Sequence, residues 1–384
     1  MARLIVPLMC AIAACPSSGQ ERVVLVRDAQ RDSLVLTLLA HGALPPGHEL
    51  GHPRSIGIDG ASGVYVSDDD PARIEKFDAA GRYIRTIGRT GSGPGEFQTP
   101  VIGVGGSHIF VHDVHLARLT LLDTAGVLVW SRSVPCCRSA PIRVDRRGHA
   151  YILAAPLSFG GHAAWDRVLV INTLGKETDS LLRPIGPALP TGMWTLADRQ
   201  AALSVPIPFV PATLSTMSDS GTVVRAVSSR YELIESRGDR DTLRILRRES
   251  APVKVPEAVR RRAIDDLVQA YQELVPVSKL RALFRLADVP QVAPAIVALD
   301  ADDCGRLWVV KTDGRLDNTI RFDVLNSRWD IIGSAEIAGV FYRQPTIAVS
   351  RERLAVVVEG GDGAPELAVF RVTPSGLGCH VRGQ

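Results

Sequence analysis

The feature that most constrains this chain is a unit that recurs along it. The first copy opens at Pro53-Arg54-Ser55-Ile56-Gly57-Ile58-Asp59 and turns at Gly63. It continues through Val64-Tyr65-Val66, then Ser67-Asp68, then Arg73-Ile74-Glu75-Lys76-Phe77. It breaks at Asp78 and Gly81 and ends on Tyr83 to Gly88. Apolar and polar residues alternate within each run, and Gly or Asp separates the runs, the pattern of four short antiparallel strands. The same order returns behind Pro100, Pro141, Pro211, Pro294 and Pro345, so the six prolines stand 47, 41, 70, 83 and 51 residues apart. Proline lacks an N–H and is tolerated at the first residue of a strand, which suits it to heading each unit.

Six four-stranded units near this period predict an all-β chain, a six-bladed β-propeller. The last unit has clear strands only at 346–349, 353–358 and 366–372, one short of a blade. Residues 22–26 and 33–39 read as strands with no blade of their own. A ring closed by an N-terminal strand accounts for both facts and removes an exposed sheet edge. One stretch departs from the repeat. Within 256–289, Val259, Ala263, Ile264, Leu267, Val268, Tyr271 and Leu274 trace one face at helical spacing, with Pro256 and Glu257 suited to a first turn. Ser278 is a candidate cap for a second short helix. This helical insertion is expected to pack on a blade and cover one mouth of the channel. Arg260, Arg261, Arg262, Lys279, Arg281 and Arg285 would then form a basic rim.

The N-terminus carries one charge at Arg3 and then an apolar run, Leu4 to Ala14, too short to span a bilayer. Ile12-Ala13-Ala14-Cys15 resembles a bacterial lipobox. That resemblance implies a signal peptide over 1–14, a lipid on Cys15 and a tether over 15–21 ahead of a propeller domain spanning 22–384; an ordinary cleaved signal containing a cysteine is the alternative. Cys136, Cys137, Cys304 and Cys379 remain, with no metal-site spacing. Export permits disulfides, and both a Cys304–Cys379 bridge and four unpaired thiols are open. With 44 Lys plus Arg against 41 Asp plus Glu and no polybasic block, nothing points to nucleic acid or to an acidic membrane surface.

The first two units resemble NHL repeats. The residues that carry the likeness are Pro53 to Asp59, Val64 to Asp68, Ala72 to Asp78 and the linker Gly91-Ser92-Gly93-Pro94-Gly95-Glu96-Phe97. Asp302 to Val309 repeats part of it. The whole is similar to bacterial six-bladed propeller lipoproteins, a fold that hosts many unrelated tasks. The NHL-type amidating lyases place a zinc-binding His just after the blade-opening proline. Here those positions hold Arg54, Val101, Ile142, Ala212, Ala295 and Thr346. Propeller lactonases gather Glu, Asn and Asp on a central divalent ion, and no comparable set stands at these strand openings. His108, His112 and His115 first suggest a metal cluster, but His112 and His115 align with Ser67 and Asp70, turn positions of the repeat. Asp59, Asp145 and Asp300 end inner strands and are expected to form turns. Arg73, Arg118 and Arg167 recur at the start of third strands and are expected to serve the repeat.

The reading that follows is a monomeric, non-catalytic, envelope-anchored protein on the periplasmic or surface side. It touches the membrane through its lipid alone, needs no cofactor or metal, and binds a peptide, glycan or protein at one face. Arg54, Arg261 and Arg281 are its candidate ligand contacts. A lyase or lactone hydrolase with a metal in the channel is the alternative.

Overall fold

The computed structural model describes residues 23–25, 34–42, 44–134, 142–145, 147–153, 165–184, 192–197, 202–218, 221–237, 242–312, 318–342, 345–374 and 379. The signal segment, Cys15, the tether, Cys136, Cys137 and Pro141 lie outside them.

Six antiparallel sheets form the ring. Blade one runs through Pro53–Ile58, Val64–Asp69, Ala72–Phe77 and Tyr83–Ile87. Blade two spans Pro100–Gly105 to Leu128–Ser133, and blade three Arg143–Val144 to Glu177–Pro184. Blade four spans Thr213–Met217 to Thr242–Arg247, and blade five Ile296–Ala301 to Ile331–Ala338. Blade six supplies Ile347–Val349, Arg353–Glu359 and Pro365–Thr373, and its fourth strand is Val35–His41, which pairs antiparallel with Pro365–Thr373. The chain therefore closes its ring with an N-terminal strand. The earlier segment Val23–Leu25 takes a different place, parallel to the outer strand of blade four.

Pro53 and Pro100 are themselves the first residues of their inner strands. In blades four to six the strands start two residues beyond Pro211, Pro294 and Pro345. The core lies between blades. Ile74, Ile102 and Ile109 join blades one and two, and Phe110, Leu119 and Ile152 join two and three. Leu233 and Val309 join four and five, Trp308 and Val356 five and six, and Val357 and Val66 close six onto one. Tyr151, Val168 and Val170 with Met217 join blades three and four. Where inner strands meet, the space is too small for a side chain: a Cβ on Gly57 would lie 2.3 Å from Val104 of the next blade.

In such a ring the first-to-second and third-to-fourth strand turns lie on one face. The second-to-third turns and the passages between blades lie on the other. The first face, here called lower, is built from one repeated turn. Asp59 accepts N–H bonds from Ala61 and Gly63 and the hydroxyl of Tyr65. Asp145 does the same for Arg147, His149 and Tyr151. In blade five the equivalent residue is Asp302, which holds the N–H groups of Cys304 and Arg306, the Arg306 guanidinium and the Trp308 indole. Asp78, Asn172 and Asn326 shape third-to-fourth turns in the same way. Three residues after the acceptor, φ is positive at Gly148 and Gly305, where glycine adopts it without strain. Hydrogen bonds to a carboxylate contribute about 1.5–3 kcal/mol each. These acids are therefore structural, as expected for Asp59 and Asp145 and contrary to expectation for Asp300, whose turn role belongs to Asp302.

The insertion contains helix α1 (Glu257–Tyr271) and helix α2 (Val277–Leu283), then a short turn of helix at Leu286–Asp288. Pro256 and Pro276 occupy the caps without side-chain hydrogen bonds, so Ser278 is inside α2 and caps nothing. Ile264, Val268, Leu280 and Phe284 do not pack on a blade, as the sequence suggested. They pack on a hairpin, Met193–Ala197 with Ala202–Pro206, inserted between blades three and four. Both insertions leave the ring through passages between blades, so topology brings them to the same upper face on adjacent blades. Trp194 stacks on Phe284 at 4.9 Å and donates its indole N–H to Asp288. The apolar stripe is shorter than its periodicity implies, since Val259 and Leu274 are exposed.

Candidate functional site

On the upper face, two repeated devices fix the passages between blades. Asp68 accepts the N–H groups of Gly51 and His52, just ahead of Pro53. Asp113 accepts those of Gln98 and Thr99, just ahead of Pro100. Arg73 donates to the carbonyls of His48 and Glu49, and Arg118 to those of Ser92 and Glu96. The recurring arginines of blades one and two thus serve the repeat. Arg167 lies in a strand whose side chain there is outside the described residues.

The passage from blade four to blade five is different, because the helical insertion interrupts it. Its two ends form a stem: Ala293 donates to Val253, Val255 donates to Gln291, and Lys254 bridges Val292. Below the stem lies a cleft of about 440 Å³. Its walls are Ser229 and Arg230 from blade four, Arg248 to Val253 at the root of the insertion, Val292 and Ala293 from the stem, and Ala295 and Thr312 from blade five. Neither His nor Cys is among these residues.

Charge gives the cleft its chemistry. Asp323 is fully buried beneath it, with Arg248 at 2.6 Å and Lys311 at 2.9 Å. Two cations on one buried carboxylate leave one positive charge; Glu249 in the cleft wall balances it, and Arg230 with Arg247 against Glu232 makes the rim net positive. The Arg248 guanidinium also sits over the Tyr231 ring at 5.8 Å, a favourable cation–π distance. Burial, then the charge of Asp323, pushes the Tyr231 hydroxyl well above its ordinary range, so it stays neutral. At the rim, Glu232 pairs with Arg247 at 2.6 Å and Arg230 at 2.9 Å. Burial opposes the charge on Glu232, but the bonds from Arg247 and Arg230 outweigh it and hold its carboxyl below its usual range. The Arg230 side chain is 63% exposed and presents its charge to solvent.

The central channel holds a second charged group. Asp300, on the inner strand of blade five, meets Arg143 of blade three at 2.7 Å, across the ring and past blade four. Burial raises the pKa of Asp300, opposed by Arg143 and by the Ala301 N–H and reinforced by Asp302. A guanidinium already on this carboxylate is a poor neighbour for a divalent cation. Elsewhere, Asp302, Asp303 and Cys304 are the one grouping of potential metal ligands among the described residues. The Cys304 sulfur is bonded to Cys379 in a disulfide, with Cα–Cα 5.0 Å, and Asp302 is spent on its turn. His112 is fully buried with both ring nitrogens unpartnered, and burial lowers its pKa.

The three arginines singled out from sequence are not brought together. Arg54 lies on blade one, 3.4 Å from Asp69. Arg261 and Arg281 are on the insertion at the far side of the ring, each 2.6 Å from an acid of its own subdomain, Glu257 and Asp265. The expected basic rim is therefore partly neutralised. The sequence reading missed Arg230, Arg248, Lys311 and Asp323. The available signal was the pair Arg247-Arg248 directly ahead of a long departure from the repeat.

No protein-family model matches the chain, and no curated protein matches it by sequence. Among solved structures it is similar to a Bacteroides fragilis protein assigned as exported, with TM-score 0.50 and 10% identity over 91% of this chain and 98% of that one. It is less similar to a protein assigned as a gluconolactonase (TM-score 0.42, 9% identity, 88% and 92% covered). A catalytically inactive virginiamycin B lyase of Staphylococcus aureus is more distant still (TM-score 0.37, 10% identity, 89% and 99% covered). At 10% identity the first likeness is one of fold, and the weaker two add nothing to it.

Proposed function

We propose that this chain is an exported, lipid-anchored, NHL-like propeller that holds a carboxylate-bearing peptide, glycan or protein in the cleft between blades four and five without transforming it. The observation that carries the reading is the cleft itself. It lies where the repeat is interrupted and is lined by the cations Arg230 and Arg248 against one carboxylate, Glu249. Arginine suits this task because its planar fork matches a carboxylate with two hydrogen bonds. The lipobox-like Ile12-Ala13-Ala14-Cys15 supports export and anchoring, as does the exported assignment of the Bacteroides fragilis relative in fold. Arg261 and Arg281 of the helical insertion and Arg54 of blade one are not among the residues lining this cleft and are each paired with an acid, so the reading rests on Arg230 and Arg248.

The competing reading, a lyase or lactone hydrolase with a channel metal, meets the Arg143–Asp300 pair in the channel. The test is metal content together with ligand fate. Purified full chain should carry no stoichiometric zinc or calcium, and captured ligand should be recovered with unchanged mass. Stoichiometric metal, or ligand returned as cleaved or eliminated product, overturns the binding reading.

A further inference from the structure

We infer that the seam where the ring closes contains a binding site for a phosphate group. Blade six is completed by the N-terminal strand Val35–His41 and packs on blade one. At the lower end of this seam is a groove of about 250 Å³ lined by Arg353 and Arg371 of blade six and by Asp78 and Arg82 of blade one. Arg353 and Arg371 stand directly opposite each other on paired antiparallel strands. Like charges in that register destabilise a sheet unless something neutralises them.

Among the described residues no acid pairs with Arg371, and Arg353 has only the exposed Glu352, at 3.8 Å. Asp78 is the acid in the groove, and it is already committed. One oxygen takes the N–H groups of Ala80 and Arg82, and the other takes the Arg82 guanidinium at 2.8 Å. Arg353 donates to the Ala79 carbonyl of blade one and to the Glu352 carbonyl, each at 2.9 Å, with the exposed Glu352 carboxylate 3.8 Å away. Among the described residues the Arg371 side chain has no hydrogen-bond or ion-pair partner. Arg82, Arg353 and Arg371, from two blades, thus line one groove whose own carboxylate, Asp78, is spent. A phosphate group with several acceptor oxygens answers that arrangement better than a single carboxylate, because it can accept from both blades at once. Bound there, it would relieve the Arg353–Arg371 repulsion and tie the closing blade to blade one. The site is at the opposite face from the ligand cleft and does not depend on it.

The test is thermal unfolding of the full chain in inorganic phosphate against sodium chloride of equal ionic strength. The expected result is a saturable rise of roughly 2–4 °C at about ten times Kd. Arg371→Ala should melt no lower than the parent without phosphate, because it removes a repulsive charge, and should show no rise with it. No saturable rise in the parent, or the full rise retained in Arg371→Ala, overturns the inference. A parallel titration with glycerophosphoglycerol, a soluble phospholipid headgroup, distinguishes the sources. A larger shift than with inorganic phosphate assigns the site to a lipid headgroup, and a smaller one assigns it to free phosphate.

Discussion

Replacing Arg143 by Met isolates the electrostatics of the channel. Asp300 is 2% exposed and its partner lies across the ring, so Arg143→Met strands a buried carboxylate. Breaking a buried pair costs about 3–5 kcal/mol. Here the Arg143 side chain is 24% exposed and the Ala301 N–H still serves Asp300, so a loss of about 2–3 kcal/mol is expected at pH 7. At roughly 2 °C per kcal/mol for a chain of this size, Tm should fall by about 4–6 °C. The pH dependence identifies the cause. The folded pKa of Asp300 is raised, so its contribution is fully present below the ordinary aspartate pKa and is lost as pH rises through the folded value. Without Arg143 that value rises further. The difference between variant and parent should therefore shrink as pH falls from 7 toward about 5, and Asp300→Asn should recover most of it at pH 7 in the Arg143→Met background. Thermal melts across that range check both points. A loss independent of pH, or an Asp300→Asn change that deepens it, would refute the reasoning.

Deleting residues 22–41 removes the fourth strand of blade six and should yield aggregation or a large fall in Tm by scattering and calorimetry; a monomer with the parent Tm would place closure elsewhere. Cys304 and Cys379 are 75 residues apart, so the double Cys→Ser variant should lose about 4.5 kcal/mol by chain entropy, read by denaturant titration. Cys15→Ser should abolish fatty-acid labelling and release the chain into the soluble envelope fraction.

The ring was legible because its signal is periodic. The turn acids, the strand alternation and the glycine breaks of 53–88 recur, and each copy reinforces the others. The shortage of strands after Pro345 pointed to Val35–His41 for the same reason. What failed was placement where periodicity carries no information. Asp300 and Asp302 are two residues apart, and the inner strand of blade five starts two residues beyond Pro294 where that of blade one starts on Pro53, so the turn falls on Asp302 and leaves Asp300 to meet Arg143. Helical spacing showed that α1 has an apolar face but not that a distant hairpin covers it, since that contact joins residues about Trp194 to residues about Phe284. Arg261 and Arg281 stood out as bare charge in sequence, yet each lies beside an acid of its own subdomain. Arg248 follows the outer strand of blade four, Lys311 ends the second strand of blade five and Asp323 lies inside its third, and the fold alone brings them together.

The measurement that tests the central claim most directly is binding of the full chain to arrays of acidic peptides and uronate- or sialate-bearing glycans, run beside Arg230→Glu. Arg230 is exposed and its partner Glu232 keeps Arg247, so the variant should fold normally. The account predicts hits confined to carboxylate-bearing ligands, weakened at least tenfold in Arg230→Glu and at raised salt. Hits that ignore ligand charge, or that bind Arg230→Glu as tightly as the parent, would contradict it.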